Sequence, residues 1–207
     1  MLTTINEIQS GERSKVDIRA EAIDAVRHYV WAGYDDEDEV FGLVDEDVLF
    51  ESDGEHEAWL RTAIKREFRK KQAAERTWPE VTDCNRLDRA FEVLNKEGIL
   101  GQHKAGYTQQ DGLGVVESLY EEAGGEQSDI GGYCFYTIQD MEGAMWGEVG
   151  LWLAFGHCSG DSKEGVAVGR QVHDVLKRFG FAVVWDGSIE SRLLLSGFRW
   201  QRRSPHT

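Results

Sequence analysis

Two loops of the chain carry side chains that are capable of acid–base chemistry. His103, Tyr107 and Asp111 fall on a glycine-containing loop that leads into a predicted helix, and Gln139 and Asp140 follow a predicted strand. A histidine beside a carboxylate can act as a general acid or base, because its pKa lies near neutrality and the carboxylate orients the ring. These five residues form the candidate site for a small ligand or a hydrolysable substrate.

The same residues also have a structural interpretation. Thr108 and Asp111 have the spacing of a helix capping box, with Asp in place of the usual Glu or Gln. Gln139 and Asp140 begin another predicted helix, and His103 can pack its ring while it hydrogen-bonds the backbone. A small-molecule-binding protein or hydrolytic enzyme is therefore the alternative hypothesis for this sequence.

Other patterns of catalysis and cofactor binding are incomplete. The three cysteines form no C-x2-C pair, and adjacent His157 and Cys158 would project to opposite faces of a strand. Residues 112–117 lack the third glycine of a dinucleotide loop, and residues 156–160 place their serine one position late for a nucleophile elbow. We therefore expect no metal and no cofactor.

Charge is segregated along the chain. Residues 35–57 hold twelve Asp and Glu and no Lys or Arg, whereas residues 61–76 hold seven Lys and Arg against two Glu. Adjacent runs of opposite charge can pair with each other or present a charged face to a partner. The predicted partner-docking residues are Asp36, Glu39, Glu46 and Asp47.

The overall charge narrows the range of partners. The 207 residues carry a formal net charge of -15, which opposes binding to nucleic acid and to anionic membranes.

The longest strongly apolar stretch, 149–155, is far shorter than the ~20 residues that span a bilayer. Widely spaced cysteines and the lack of a signal-peptide pattern favour a cytoplasmic location.

These observations predict a cytoplasmic, non-catalytic protein that uses an acidic surface. Its expected partner is a basic protein, and its expected role is regulatory, in the manner of an inhibitor or immunity protein. Acidic proteins of this kind attract basic partners over a distance, which speeds association. The sequence does not specify an oligomeric state.

Helical periodicity dominates residues 1–125, and strands appear after them. The first predicted helix ends at Gly33. Three more predicted helices lie at 40–48, 55–76 and 87–94, and a fifth begins after Thr108. The predicted strands lie in 133–138, 149–155, 181–185 and 192–203, with helices at 139–145 and 164–179.

This order of helices and strands predicts an α+β class and a single domain over 1–207. Its helical part is 1–125. Its sheet portion, 126–203, holds three to four mixed or antiparallel strands with helices packed on one face, and 204–207 form a tail.

Several motifs rich in Trp and Gly occur between residues 78 and 203. They are WPEVTDCNRLDRAF at 78–91, GIL at 98–100, HKAGYTQQDG at 103–112, GYCFY at 132–136, GLWLAF at 150–155, WDG at 185–187 and WQRR at 200–203. On these motifs the chain resembles a bacterial family of small acidic proteins classified only as a domain of unknown function. The resemblance covers about residues 35–203. Asp is frequent in that family where this chain has Asn85, which weakens a metal or acid–base role there. The resemblance implies a bacterial cytoplasmic origin and no particular mechanism.

Overall fold

The computed structural model describes residues 15–49, 56–147 and 149–205. Glu51, Asp53 and Glu55 of the acidic run lie outside the described residues, as do the first fourteen residues and the last two of the predicted tail. The chain divides into two compact units, residues 1–76 with 203–207, and residues 77–202. The single domain predicted over 1–207 stays a prediction.

The first unit contains three helices in its described part. They are α1 (Lys15–Ala32), α2 (Glu37–Val48) and α3 (Glu57–Glu75). Each helix contributes one apolar stripe to a shared core, as the periodicity predicts. The buried members of this core are Ala22, Val26, Val30, Val40, Val44, Leu49, Leu60, Ile64 and Phe68.

A fully buried lysine ties α3 to the end of α1. Lys71 Nζ donates a hydrogen bond to the carbonyl oxygen of Val30 at 2.9 Å and lies 3.8 Å from the Glu75 carboxylate. Val30 lies in the last turn of α1, where carbonyl groups have no partner inside the helix. Glu75 also accepts a hydrogen bond from the Ser204 backbone N–H at 2.9 Å, so the same group holds the chain near its end.

The second unit contains the remaining helices and the sheet. In chain order its elements are α4 (Asp83–Lys96), β1 (Ile99–Gln102), α5 (Gln109–Glu122), β2 (Gly132–Phe135), α6 (Ile138–Trp146), β3 (Gly150–His157), α7 (Ser162–Arg178), β4 (Ala182–Val184) and β5 (Leu193–Ser196). A short 3-10 helix, Gly125–Gln127, follows α5. None of the described helices is long and apolar enough to cross a bilayer.

The described strands form one mixed sheet in the order β1-β2-β3-β5-β4. Strands β1 and β2 are parallel, and the other neighbours are antiparallel. The predicted α+β class is confirmed, but the sheet has five strands rather than three to four. The unpredicted strand is β1, which is too short to show an alternating pattern of its own.

Strand β3 changes its partner halfway along its length. Residues 150–153 pair with β5, and residues 154–157 pair with β2. On the side of β5, residues 154–157 have no strand partner among the described residues. The sheet therefore has a gap beside the second half of its central strand.

Helices α4 and α7 cover one face of the sheet. A side chain at Gly101 would meet Phe91 of α4, and one at Gly132 would meet Val168 of α7, so these glycines allow close approach of the helices. Leu151, Leu153, Leu193 and Leu195 of β3 and β5 are completely buried on this face.

The opposite face of the sheet is only partly covered. Val116 of α5 packs there with Phe135 and Ala154 of β2 and β3. Along β5 and β4 this face is more open: Leu194 is half-buried, and Val184 is 57% exposed.

Substituting Lys71 by Ala is expected to destabilise the protein by roughly 3 kcal/mol, because the Val30 carbonyl and the partly buried Glu75 carboxylate lose their cation. Lys65 lies exposed on the same helix, and Lys65→Ala should change stability by no more than about 0.5 kcal/mol. Urea unfolding of the two variants measures the difference. Similar midpoints would show that Lys71 does not stabilise the first unit.

Candidate functional site

The two loops that carry the predicted site lie side by side at the carboxyl ends of β1 and β2. The backbone N–H of Ala105 donates to the Tyr136 carbonyl at 2.9 Å, and that of Gln139 donates to the Tyr107 carbonyl at 3.3 Å. Because β1 and β2 are parallel, their carboxyl ends reach the same edge of the sheet. The structure thus brings the two predicted loops together.

Asp111 serves the start of α5. The Thr108 backbone N–H and hydroxyl donate to its carboxylate at 2.8 and 2.9 Å, and its own N–H donates back to the Thr108 hydroxyl oxygen. These hydrogen bonds lower the pKa of Asp111. Its carboxylate therefore stays ionised at neutral pH and is occupied by the capping box. The neighbouring Tyr107 ring is 51% exposed.

Asp140 has two functions in the fold. Its Oδ2 accepts hydrogen bonds from the Thr137 backbone N–H at 3.1 Å and hydroxyl at 2.8 Å, in the capping box of α6. Its Oδ1 accepts a hydrogen bond from Arg192 Nη1 at 2.8 Å. Asp140 is buried, so this contact is a charge-assisted bond in a partly dry environment.

His103 lies in a largely buried cluster. Its Nδ1 is 3.0 Å from the Tyr136 hydroxyl, and its ring stacks on Phe91 with 4.7 Å between centroids. Its Nε2 is 3.4 Å from an Asp88 carboxylate oxygen, which is itself paired with Arg202. Burial, with the positive charge of Arg202, lowers the pKa of His103 to about 4.

A neutral His103 can in principle accept a proton, since one of its nitrogens is an acceptor. In this structure, however, Nδ1 faces the hydroxyl of Tyr136, a fully buried residue. The Nε2 atom faces Asp88 at a distance longer than a good hydrogen bond. This geometry favours the structural interpretation of His103, and its catalytic role stays a prediction.

A cleft of about 320 Å³ lies beside the predicted loops, at the gap next to β3. Its walls include Gln109, Trp152, Ala154, Ile189, Glu190 and Arg192. The guanidinium of Arg192 lies 5.4 Å from the centre of the Trp152 ring. Asp140, one of the five predicted residues, therefore contributes to this cleft by holding Arg192.

The loop from Trp185 to Arg192 is cross-linked by its own hydrogen bonds. Trp185 Nε1 donates to the Ser188 carbonyl at 2.9 Å, and the Ser188 N–H donates to Asp186 at 2.9 Å. The Ser191 hydroxyl also donates to Asp186, whose pKa these bonds lower. This wall of the cleft is consequently preformed.

The first unit carries the predicted docking residues. Asp36 caps α2: its carboxylate accepts from the backbone N–H groups of Asp38 and Glu39, and the Glu39 carboxylate accepts from the Asp36 N–H at 2.8 Å. Asp47 accepts a hydrogen bond from the Tyr29 hydroxyl; burial and this carboxylate raise the pKa of Tyr29. Glu46 is exposed.

The basic helix α3 forms an ion pair with the acidic helix α2 through Arg61. Arg61 pairs with Asp38 at 3.0 Å and with Glu57 at 2.9 Å, and its guanidinium lies 4.2 Å from the centre of the Phe41 ring. The exposed cations Lys65, Arg66 and Arg69 have no carboxylate partner within the described residues. The opposite charges of the two helices therefore pair only in part.

No cysteine among the described residues is poised as a nucleophile. Burial raises the pKa of Cys84 to about 12 and also raises the pKa values of Cys134 and Cys158, so all three thiols are protonated at neutral pH. The described residues hold no group of three or more His, Cys, Asp or Glu arranged to bind a metal.

Sequence reasoning missed the residues that form the cleft. Arg192 directly precedes the apolar strand β5, and its partner Asp140 is 52 residues away along the chain. Trp152 was recognised only as part of a strand. The available signal was weak: a lone arginine at the start of an apolar run indicates a polar contact but not its partner.

The motifs can be compared with known families. The sequence profile of a family described as "Domain of unknown function (DUF6891)" matches residues 15–204 of the chain. The chain belongs to this family. The predicted resemblance to a domain of unknown function is thus confirmed, and the DUF6891 match includes both the cleft and the α2 helix. No curated protein and no solved structure matches the chain.

Asp140→Ala is expected to destabilise this DUF6891 protein more than Asp111→Ala. Both changes remove the carboxylate of a Thr-x-x-Asp capping box, so this loss is common to the two variants. Asp140→Ala also leaves Arg192 without its carboxylate partner, which should lower the stability by roughly 2 kcal/mol more. Thermal or urea unfolding compares the two variants, and equal losses would contradict the proposed second function of Asp140.

His103 is expected to titrate near pH 4, which NMR of its ring protons can measure. Its folded pKa lies below the unfolded value of roughly 6.5, so its neutral form stabilises the fold fully above that pH. This contribution is lost as the pH falls through about 4. His103→Gln should therefore flatten the loss of stability across this range. A ring-proton midpoint near 6.5 would argue against the buried environment.

Proposed function

We propose that this protein is a bacterial cytoplasmic, non-catalytic interaction protein that binds a basic protein. The proposed docking surface is the acidic face of α2, which we define as Asp36, Glu37, Glu39, Glu46 and Asp47. The observation that carries the proposal is that Asp36, Glu39 and Asp47 are held by neutral hydrogen-bond donors, while Glu37 and Glu46 are exposed. A regulatory role of the inhibitor or immunity type is consistent with such a surface.

Hydrogen bonds and ion pairs affect the charge of this surface differently. Asp36 and Glu39 accept backbone N–H groups, and Asp47 accepts a tyrosine hydroxyl. These donors are neutral, so they hold the carboxylates in place without cancelling their charge. Among the described residues of α2, only Asp38 meets an arginine. The helix therefore retains most of its negative charge.

The acidic face is also held in a fixed position. Val40 and Val44 of α2 are completely buried in the core of the first unit. Its first turn is fixed by the reciprocal capping box of Asp36 and Glu39. A rigid charged face loses little conformational entropy on binding, and the net charge of -15 steers a basic partner toward the protein.

The helix offers two positions at which charge can be changed without removing a side-chain contact. Glu37 and Glu46 are exposed and make no side-chain hydrogen bond or ion pair within the described part of the chain. Asp36, Glu39 and Asp47 are poorer choices, because their substitution would also remove contacts that hold the helix. Charge reversal at Glu37 and Glu46 is therefore the cleaner test of docking.

The double variant Glu37→Lys/Glu46→Lys is expected to lose binding to a basic partner by about tenfold or more, since like charges replace attractive ones. The measurement is an affinity capture from a lysate of the source cells, followed by titration of the purified partner at low and at physiological salt. Binding by the unmodified protein should weaken as salt rises, because exposed charges are screened within roughly 10 Å at 0.1 M.

The matched control is Glu117→Lys/Glu122→Lys on α5. Both residues are exposed, and the change in net charge is the same, but it lies in the second unit. This control should retain partner binding. A partner held equally by the unmodified protein and the α2 variant, or the recovery of no stoichiometric protein partner, would overturn the proposal.

A further inference from the structure

We propose that the cleft beside β3 binds a small monocarboxylate with an apolar or aromatic body. Its position is set by the gap beside residues 154–157, where the central strand lacks a described strand partner on one side. Concave clefts with a few placed polar groups are frequent locations for small ligands. The proposal does not depend on the acidic face of α2, which lies in the other unit.

Arg192 is the group that would recognise the carboxylate. Its guanidinium has five N–H donors in a planar fork, and within the described residues its one hydrogen-bond partner is Asp140. The side chain is 34% exposed and lines the cleft. Donors therefore remain for a ligand, and their orientation is set by Asp140 on one side and the Trp152 ring beneath.

The charges of the cleft favour a monoanion over a dianion. Arg192 is the single cation among the lining residues, and Glu190 lies on the same rim. The carboxylate of Asp140 already balances part of the arginine charge. A phosphate dianion would face more negative than positive charge, whereas a carboxylate matches the arginine fork with one charge and two oxygens.

One part of the lining suits an apolar body. The Trp152 ring, Ala154 and Ile189 line the cleft, and Gln109 at the first turn of α5 supplies one amide at its rim. The volume of about 320 Å³ is at the lower end of the range for small-molecule sites, roughly 300–1,000 Å³. This size matches a single small aromatic or branched aliphatic acid.

Phenylacetate is a suitable probe, and phenylacetamide is its uncharged counterpart of the same shape. Titration of the full-length protein by NMR should show saturable shifts of the Trp152 indole N–H and the Ile189 methyl groups, with a dissociation constant of about 1 mM or below. Phenylacetamide should bind at least about tenfold more weakly, because it lacks the charge that pairs with arginine. Inorganic phosphate should not compete.

The variant Arg192→Gln/Asp140→Asn removes the cation and its counter-charge together. The two new amides can keep a hydrogen bond, and the amide oxygen at position 140 can still accept from Thr137, so the fold is expected to be retained. This variant should lose phenylacetate binding by about tenfold or more. Arg178→Gln is the control, because it removes one arginine of an exposed pair with Glu97 that does not line the cleft.

The NMR shifts of the unmodified protein test the site without any variant. Shifts confined to the cleft, a preference for phenylacetate over its amide, and loss in the double variant but not in Arg178→Gln would establish the site. The proposal is overturned by the absence of saturable binding or by shifts at other residues. Equal affinity for the amide, phosphate binding in place of carboxylate, or undiminished binding by a folded double variant would overturn it as well.

Discussion

The second unit depends on the divided pairing of its central strand. The first half of β3 is paired with β5 and the second half with β2, so this one strand joins the β1-β2 pair to the β5-β4 pair. Both halves must keep their register, since a shift by one residue would turn Leu151 and Leu153 away from the buried face. The same division leaves the gap in which the cleft lies. Fold and cleft therefore have one structural origin.

Buried charges in both units are placed where they satisfy more than one group. Asp140 completes the capping box of α6 and holds Arg192 at the start of β5. Lys71 satisfies a carbonyl at the end of α1 and lies beside Glu75. A buried charge with a single weak partner would be costly, because it loses its hydration. Each of these side chains instead fixes the relative position of elements that are distant along the sequence.

Local patterns were predictable from the sequence, whereas contacts between distant segments were not. The repeat of Leu87, Phe91 and Leu94 indicated α4, and the Thr108–Asp111 spacing indicated the start of α5, because both signals lie within a few residues. Strand β1 was missed since its four residues acquire strand character only by pairing with β2. The pairing of Asp140 with Arg192 was not predictable, because it depends on the sheet register. The predicted docking residues Asp36 and Glu39 were chosen for their charge, and their capping contacts were not predicted.

The short outer strands of the sheet affect how the protein behaves at high concentration. The two edges are formed by β1, with four residues, and β4, with three. An exposed edge strand is a template on which another chain can add, and this risk grows with its length. Here the half-covered face ends at Val184, an exposed apolar residue on the very short strand β4. Brief edges, together with a strongly negative charge that keeps molecules apart, limit edge-to-edge aggregation although apolar surface remains exposed.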